Sequence, residues 1–173
     1  LLAMGGMDFR LPVDVWPRTA GINWIVPAAW ESQRDDIRSI ENSGMNFIDL
    51  LASVDAIVTK PGYGTFVEAA CNGIPIVYVK RDDWPETPYL SAWLAQNARS
   101  LAVSRSCLTS GQFVEVMTLL WRAPAPAPPP ATIVGSGPCV WRSLLLIPEP
   151  NRMMEWSSKD PSPSGVLRSF SRY

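Results

Sequence analysis

Apolar residues along this chain come in short runs separated by polar or glycine-bearing stretches, the pattern of strands alternating with helices. Leu1 to Met4 reads as a strand running into Gly5-Gly6, and Ile22 to Val26 as a second strand between Gly21 and Pro27. Trp30, Arg34, Ile37 and Ile40 or Glu41 fall at helical spacing and predict an amphipathic helix that Ser43-Gly44 ends. Met45 to Phe47 is expected to be a third short strand, and Ile48 to Val54 a turn or two of helix. Ala56 to Val58 is an apolar run of the length of a buried parallel strand, followed by a helix that Thr65 opens and Gly73 closes. Ile74 to Val79 gives the next strand. Pro88 to Ala98 predicts a helix with Tyr89, Leu90, Trp93 and Leu94 on one face, Leu101 to Val103 a last strand, and Ser110 to Trp121 a last helix with a stripe of Phe113, Val114, Met117, Leu120 and Trp121. This alternation predicts an α/β domain with a doubly wound, Rossmann-like parallel sheet covered on both faces.

The pattern stops at Ala123 to Pro130, where five prolines in eight residues predict an extended polyproline spacer. Residues 131–173 are rich in Ser, Pro and Arg and lack a periodic apolar pattern, so disorder is expected there. The expected organisation is therefore a domain over 1–122, a linker over 123–130 and an irregular tail over 131–173. With 173 residues and 47% apolar content there is enough for one core. No histidine occurs, which for this chain alone sets aside zincins, Ser-His-Asp hydrolases and Cys-His proteases. Cys71, Cys107 and Cys139 are odd in number and far apart, a pattern that fits a reducing compartment; Cys71 and Cys107 read as packing residues. The formal charge of −1 leaves nothing basic enough for non-specific nucleic-acid binding. No stretch is apolar for the ~18 residues a membrane span needs, and no signal-peptide pattern opens the chain, so a cytoplasmic location is expected.

The segment from Asp55 to Val79 holds the chemistry. A helix beginning just beyond the carboxyl end of a parallel strand points free N–H groups and its positive dipole end into the crevice there, which suits an anion. Thr59-Lys60-Pro61-Gly62, Gly64-Thr65, Glu68-Ala69 and Gly73-Ile74-Pro75 resemble the donor-binding half of GT-B glycosyltransferases. The likeness is to the branch with the bacterial lipid-linked N-acetylglucosamine transferase and the plant galactolipid synthases. It covers about residues 1–122 and is specific over 55–79. It implies a nucleotide-diphosphate sugar as ligand, with a uridine diphosphate sugar preferred, no divalent metal and no cofactor. It also implies a separate N-terminal acceptor domain that supplies the catalytic base, and peripheral membrane contact in a full-length protein. A sugar-nucleotide 2-epimerase shares the fold and stands as an alternative, as does a nucleotide-binding or interaction fragment without catalysis.

The candidate donor-binding residues follow from that. Gly62, Tyr63, Gly64 and Thr65 would turn against the diphosphate, with backbone N–H groups at 64 to 66 and the Thr65 hydroxyl as donors, and Lys60 would neutralise phosphate charge. A dinucleotide fingerprint is disfavoured, because Val67 stands where its third glycine would be. Glu68 has two readings. With Thr65 it forms a capping-box pattern; by the resemblance it accepts hydrogen bonds from ribose hydroxyls. Gly5 and Gly6 resemble a second phosphate-facing loop, although Met7-Asp8 follows where the family has a small polar residue. Asp82, Asp83 and Glu86 are placed to bind sugar hydroxyls, Trp84 to cover a sugar face, and Met45 to Phe47 to flank the base. Two adjacent carboxylates at 82 and 83 make a poor metal cage.

Overall fold

A computed structural model describes residues 1–5, 10–81 and 83–127. Gly6, Asp82, the last residues of the linker and the whole tail, with Cys139, lie outside the described residues. Among the described residues there are six strands and five α-helices, in the order β1 (Leu2–Ala3), β2 (Trp24–Val26), β3 (Ile37–Ser39), α1 (Phe47–Ala52), β4 (Ile57–Thr59), α2 (Tyr63–Cys71), β5 (Ile76–Val79), α3 (Thr87–Asn97), β6 (Ser100–Val103), α4 (Arg105–Ser110) and α5 (Phe113–Arg122). All strand pairs are parallel. The main sheet runs in the order β1-β4-β5-β6, and β2-β3 forms a separate pair whose β2 packs beside β1. This is a Rossmann-like α/β fold.

Both faces of the sheet are buried, and strand residues alternate between two cores. Leu2, Val58, Val77, Val79 and Val103 enter one core with Leu108, Phe113, Val114, Met117 and Leu120 of α4 and α5. Ile57, Ile76 and Tyr78 enter the other with Leu50, Leu51, Phe66, Val67, Leu90 and Leu94 of α1, α2 and α3. β2 obeys the same alternation: Trp24 and Val26 face the first core, while Ile25 packs on the second. Helices on both faces are what a doubly wound sheet requires.

Two glycines set helix ends. Gly73 adopts φ +68°, and behind it the Gly73 N–H donates to Ala70 O (3.1 Å) and the Ile74 N–H to Ala69 O (2.9 Å), closing the last turn of α2. Gly111, at φ +75°, separates α5, which corresponds to the helix expected over 110–121, from α4, a further helix that the sequence pattern did not indicate. A Cβ at Gly111 would lie 2.8 Å from the Trp16 ring. Trp16 itself meets Phe113 edge to face at 5.0 Å and Trp24 at 5.1 Å, and its Nε1 donates to Thr109 O.

The stretch from 27 to 46 departs from expectation. The helix predicted over Trp30 to Glu41 is absent: Ala28–Trp30 is a short 3-10 turn, Glu31 turns left-handed at φ 37°, and Ile37–Ser39 is strand β3. The buried residues at helical spacing, Trp30 and Ile37, reach the core from two different elements. Arg34 explains the extended path. Its guanidinium donates to Val13 O and Trp16 O, both at 2.7 Å, and grips Asp36 two residues on, a pairing that belongs to a period of two. Met45 to Phe47 is not a strand either. Asn46 caps α1, its side chain accepting from the Asp49 N–H at 3.0 Å. On α3, Leu90, Trp93 and Leu94 are buried as expected, whereas Tyr89 is exposed.

Candidate functional site

β1 and β4 are neighbours, and their onward connections leave on opposite faces. After β1 the chain sends Leu11, Val13 and Trp16 into one core, and after β4 it sends Phe66 and Val67 of α2 into the other. Such divergence opens a crevice at the carboxyl ends of the two strands, where ligands of open α/β sheets bind. Thr59, 1% exposed, pins the crevice floor by donating to Ala3 O at 2.7 Å. Gly5, at φ +38°, and Lys60 meet above it; a Cβ on Gly5 would lie 3.7 Å from Lys60 Cε. The structure thus brings Gly5, Lys60 and the start of α2 together.

Helix α2 begins two residues earlier than the sequence pattern suggests. Gly62 is its N-cap, extended at φ −171° and ψ 136°, with no side chain capping it. Thr65 therefore lies inside the first turn, and the Thr65–Glu68 capping box is not formed: Thr65 has no N-cap geometry to offer. The Phe66 N–H is spent on Gly62 O at 3.1 Å. The free donors are consequently those of Tyr63, Gly64 and Thr65, one residue before the expected 64 to 66. Gly62 and Gly64 face open space, with no atom within 4 Å of a would-be Cβ.

Glu68 lies a turn further along α2. Its side chain is partly buried and has no hydrogen-bond or ion-pair partner among the described residues, and burial pushes its carboxyl above the ordinary carboxylate range. An unpaired, partly desolvated acceptor is suited to hydroxyl donors.

The acidic residues of the loop after β5 are engaged within the protein. Asp83 is exposed and accepts from Arg81 Nη2 at 2.9 Å, a pairing that lowers the Asp83 carboxyl. Glu86 accepts from Trp84 Nε1 at 3.1 Å, and its charge acts on the Tyr63 phenol. Burial first, then the Glu86 charge, pushes the Tyr63 phenol up to about 12. The Trp84 ring receives two cations: Arg81 Cζ lies 4.8 Å and Lys60 Nζ 5.9 Å from its centroid. The sequence pattern did not reveal these partnerships, because residues 60 and 84 are joined only by the pairing of β4 with β5. Gly6 and Asp82 lie outside the described residues, and Met45 is exposed at the entry to α1. Among the described residues no three His, Cys, Asp or Glu side chains cluster as metal ligands, and no helix is long and apolar enough to cross a membrane.

The fold and crevice define a Rossmann-like α/β domain with an anion-suited edge. Over 65 residues, 38% of the chain, the sequence is 35% identical to L-arabinokinase of Arabidopsis thaliana, a sugar kinase. The match spans 6% of that protein's length. No protein-family model matches the chain, and no solved structure matches it.

Proposed function

We propose that the chain is the nucleotide-sugar-binding domain of a GT-B type glycosyltransferase, binding a uridine diphosphate sugar. One observation carries the reading: three uncapped N–H groups at 63 to 65 open beside Lys60, at the crevice where the β1 and β4 connections diverge. A diphosphate there meets a helix dipole and a cation together. Glu68, on the same helix, is the acceptor for ribose hydroxyls. In the transfer, an acceptor hydroxyl attacks the anomeric carbon, the bond to the diphosphate oxygen breaks, and the charge left on the diphosphate is stabilised by the α2 N-terminus and Lys60. No residue of this chain is assigned as catalytic base, which the reading places on a separate acceptor domain. Glu86 and Asp83, held by Trp84 and Arg81, shape the rim in this reading and would reach a sugar only by giving up those partners.

A second reading draws on the likeness to L-arabinokinase, whose name denotes a kinase of a pentose. In it the domain binds a nucleotide or sugar nucleotide within a longer sugar-acting protein and transfers nothing itself. Calorimetric titration with UDP, GDP, ADP and their sugar conjugates tests the binding that both readings share. The expected result is selective binding of UDP and its conjugates, weakened in Glu68→Ala by about tenfold to a hundredfold, the value of a charged hydrogen bond. Absence of nucleotide binding by the folded chain would sink the donor site. The transferase reading is then separated from the second by joining the chain to an acceptor domain of that enzyme class and assaying release of UDP that depends on an acceptor.

A further inference from the structure

Trp84 stands at the middle of the rim and is fixed at one edge. Its Nε1 donates to Glu86, the N-cap of α3, so the indole is tied to the start of that helix. Its ring attracts Lys60 from the end of β4 and Arg81 from the end of β5. Arg81 also has Asp83, in a pair whose acid is largely exposed and open to exchange with solvent or ligand. Lys60 has no carboxylate partner among the described residues. An aromatic ring can hold an ammonium in place through its quadrupole without cancelling its charge, whereas a carboxylate would hold and cancel it together.

From this we infer that Trp84 is a positioning residue: it holds Lys60 at the crevice with its charge uncancelled, and Arg81 beside it in an exposed pair that Asp83 can release, ready for the diphosphate of an incoming nucleotide. The inference rests on the anion site proposed above. In that role Trp84 touches cations and not the sugar, in contrast to the sugar-covering role first expected of it.

The test compares Trp84→Ala and Trp84→Phe with the wild-type chain, measuring affinity for UDP, uridine and inorganic pyrophosphate. Thermal melting of each variant establishes that it is folded. Loss of the ring is expected to weaken UDP and pyrophosphate by roughly tenfold, the scale of two cation–π contacts, and to leave uridine unchanged. Phenylalanine, which keeps a π face but not the Nε1 donor, should restore most of the loss. Equal weakening of uridine and UDP, or UDP binding unaltered by Trp84→Ala, would overturn the inference. A ligand-free measurement separates it from the site itself. The Lys60 ε-methylene protons should carry a ring-current shift in the wild-type spectrum that Trp84→Ala abolishes. A wild-type chain that binds no diphosphate defeats the anion site, and a Lys60 shift indifferent to Trp84→Ala defeats the placement of the cation as well.

Discussion

From Ile57 to Val103 the chain is organised by backbone: parallel ladders join β4, β5 and β6, and α2 and α3 fill the intervals between them. From Arg10 to Asn46 it is organised by side chains. There the strands are three residues long, the helical pieces are single 3-10 turns, and the path is fixed by Arg34 reaching back to Val13 and Trp16 while holding Asp36. The first region spreads its stability over many small, similar terms; the second concentrates it in a few groups. Ladder hydrogen bonds are satisfied wherever the pattern repeats, whereas an irregular buried segment needs a dedicated donor for each carbonyl it hides.

Breaking that donor should have the largest effect. The Arg34 side chain is 8% exposed and that of Asp36 17%. Arg34→Ala leaves a mostly buried carboxylate and two carbonyls without partners, and is expected to cost about 3–5 kcal/mol in urea unfolding. Arg34→Lys should recover little, since an ammonium cannot repeat the fork that serves Asp36 and the carbonyls together. A loss under ~1 kcal/mol for Arg34→Ala would show that the 10–46 stretch is held by its apolar contacts instead. Gly111→Ala comes next, because it strikes where the turn between α4 and α5 packs on Trp16 of the side-chain-organised region. The left-handed φ and the clash with the Trp16 ring together should cost about 3 kcal/mol. Pairing it with Trp16→Leu should return part of that loss, which a double-mutant cycle measures directly.

The same contrast explains what the sequence made legible. Ile57, Val58, Ile76, Val77 and Val79 announce strands because burial on both faces demands unbroken apolar runs, and Phe113, Val114, Met117 and Leu120 announce α5 because one stripe is enough for a helix at the surface. Trp30, Arg34 and Ile37 imitated a helix by coincidence of spacing. Periodicity cannot tell a helical face from two separate elements that feed one core. A signal for α1 was nevertheless present: Asn46 followed three residues later by Asp49 is a helix start, and it outweighs the strand propensity of Phe47. The candidate site divides in the same way. Lys60 to Glu68 are continuous in sequence, so their proximity could be anticipated, apart from the exact cap, which extended Gly62 moved back to residue 62. The contact of Trp84 with Lys60 depends on strand register, and no local pattern encodes it.

A smaller effect sharpens the comparison within the backbone-organised region. Gly64 is in the first turn of α2 with open space where a Cβ would go. Gly64→Ala should therefore stabilise the fold, by up to about 0.5–1 kcal/mol from helix propensity. The new methyl leans toward the helix N-terminus, into the row of free N–H groups, and diphosphate binding should weaken while stability rises. Opposite signs in thermal melting and in UDP titration are hard to produce unless the turn is used by a ligand. A change of the same sign in both would remove Gly64 from the site.

The subtlest effect concerns protons on Glu68. Burial raises its carboxyl in the folded chain relative to the unfolded one, so the folded state retains the proton more strongly. By linkage, its contribution to stability is fully present below the unfolded value and is lost as pH rises through the folded one. Glu68→Gln, which cannot ionise, should flatten that part of the stability profile, as urea unfolding from pH 4 to pH 7 would show. Ribose hydroxyls donating to the carboxylate favour its charged form and pull the pKa back down. UDP binding near the raised pKa should then release a fraction of a proton, visible as a calorimetric enthalpy that varies with the ionisation heat of the buffer. That dependence should vanish in Glu68→Gln. If wild-type and Glu68→Gln chains show the same buffer dependence, the released proton comes from elsewhere and Glu68 does not meet the ribose.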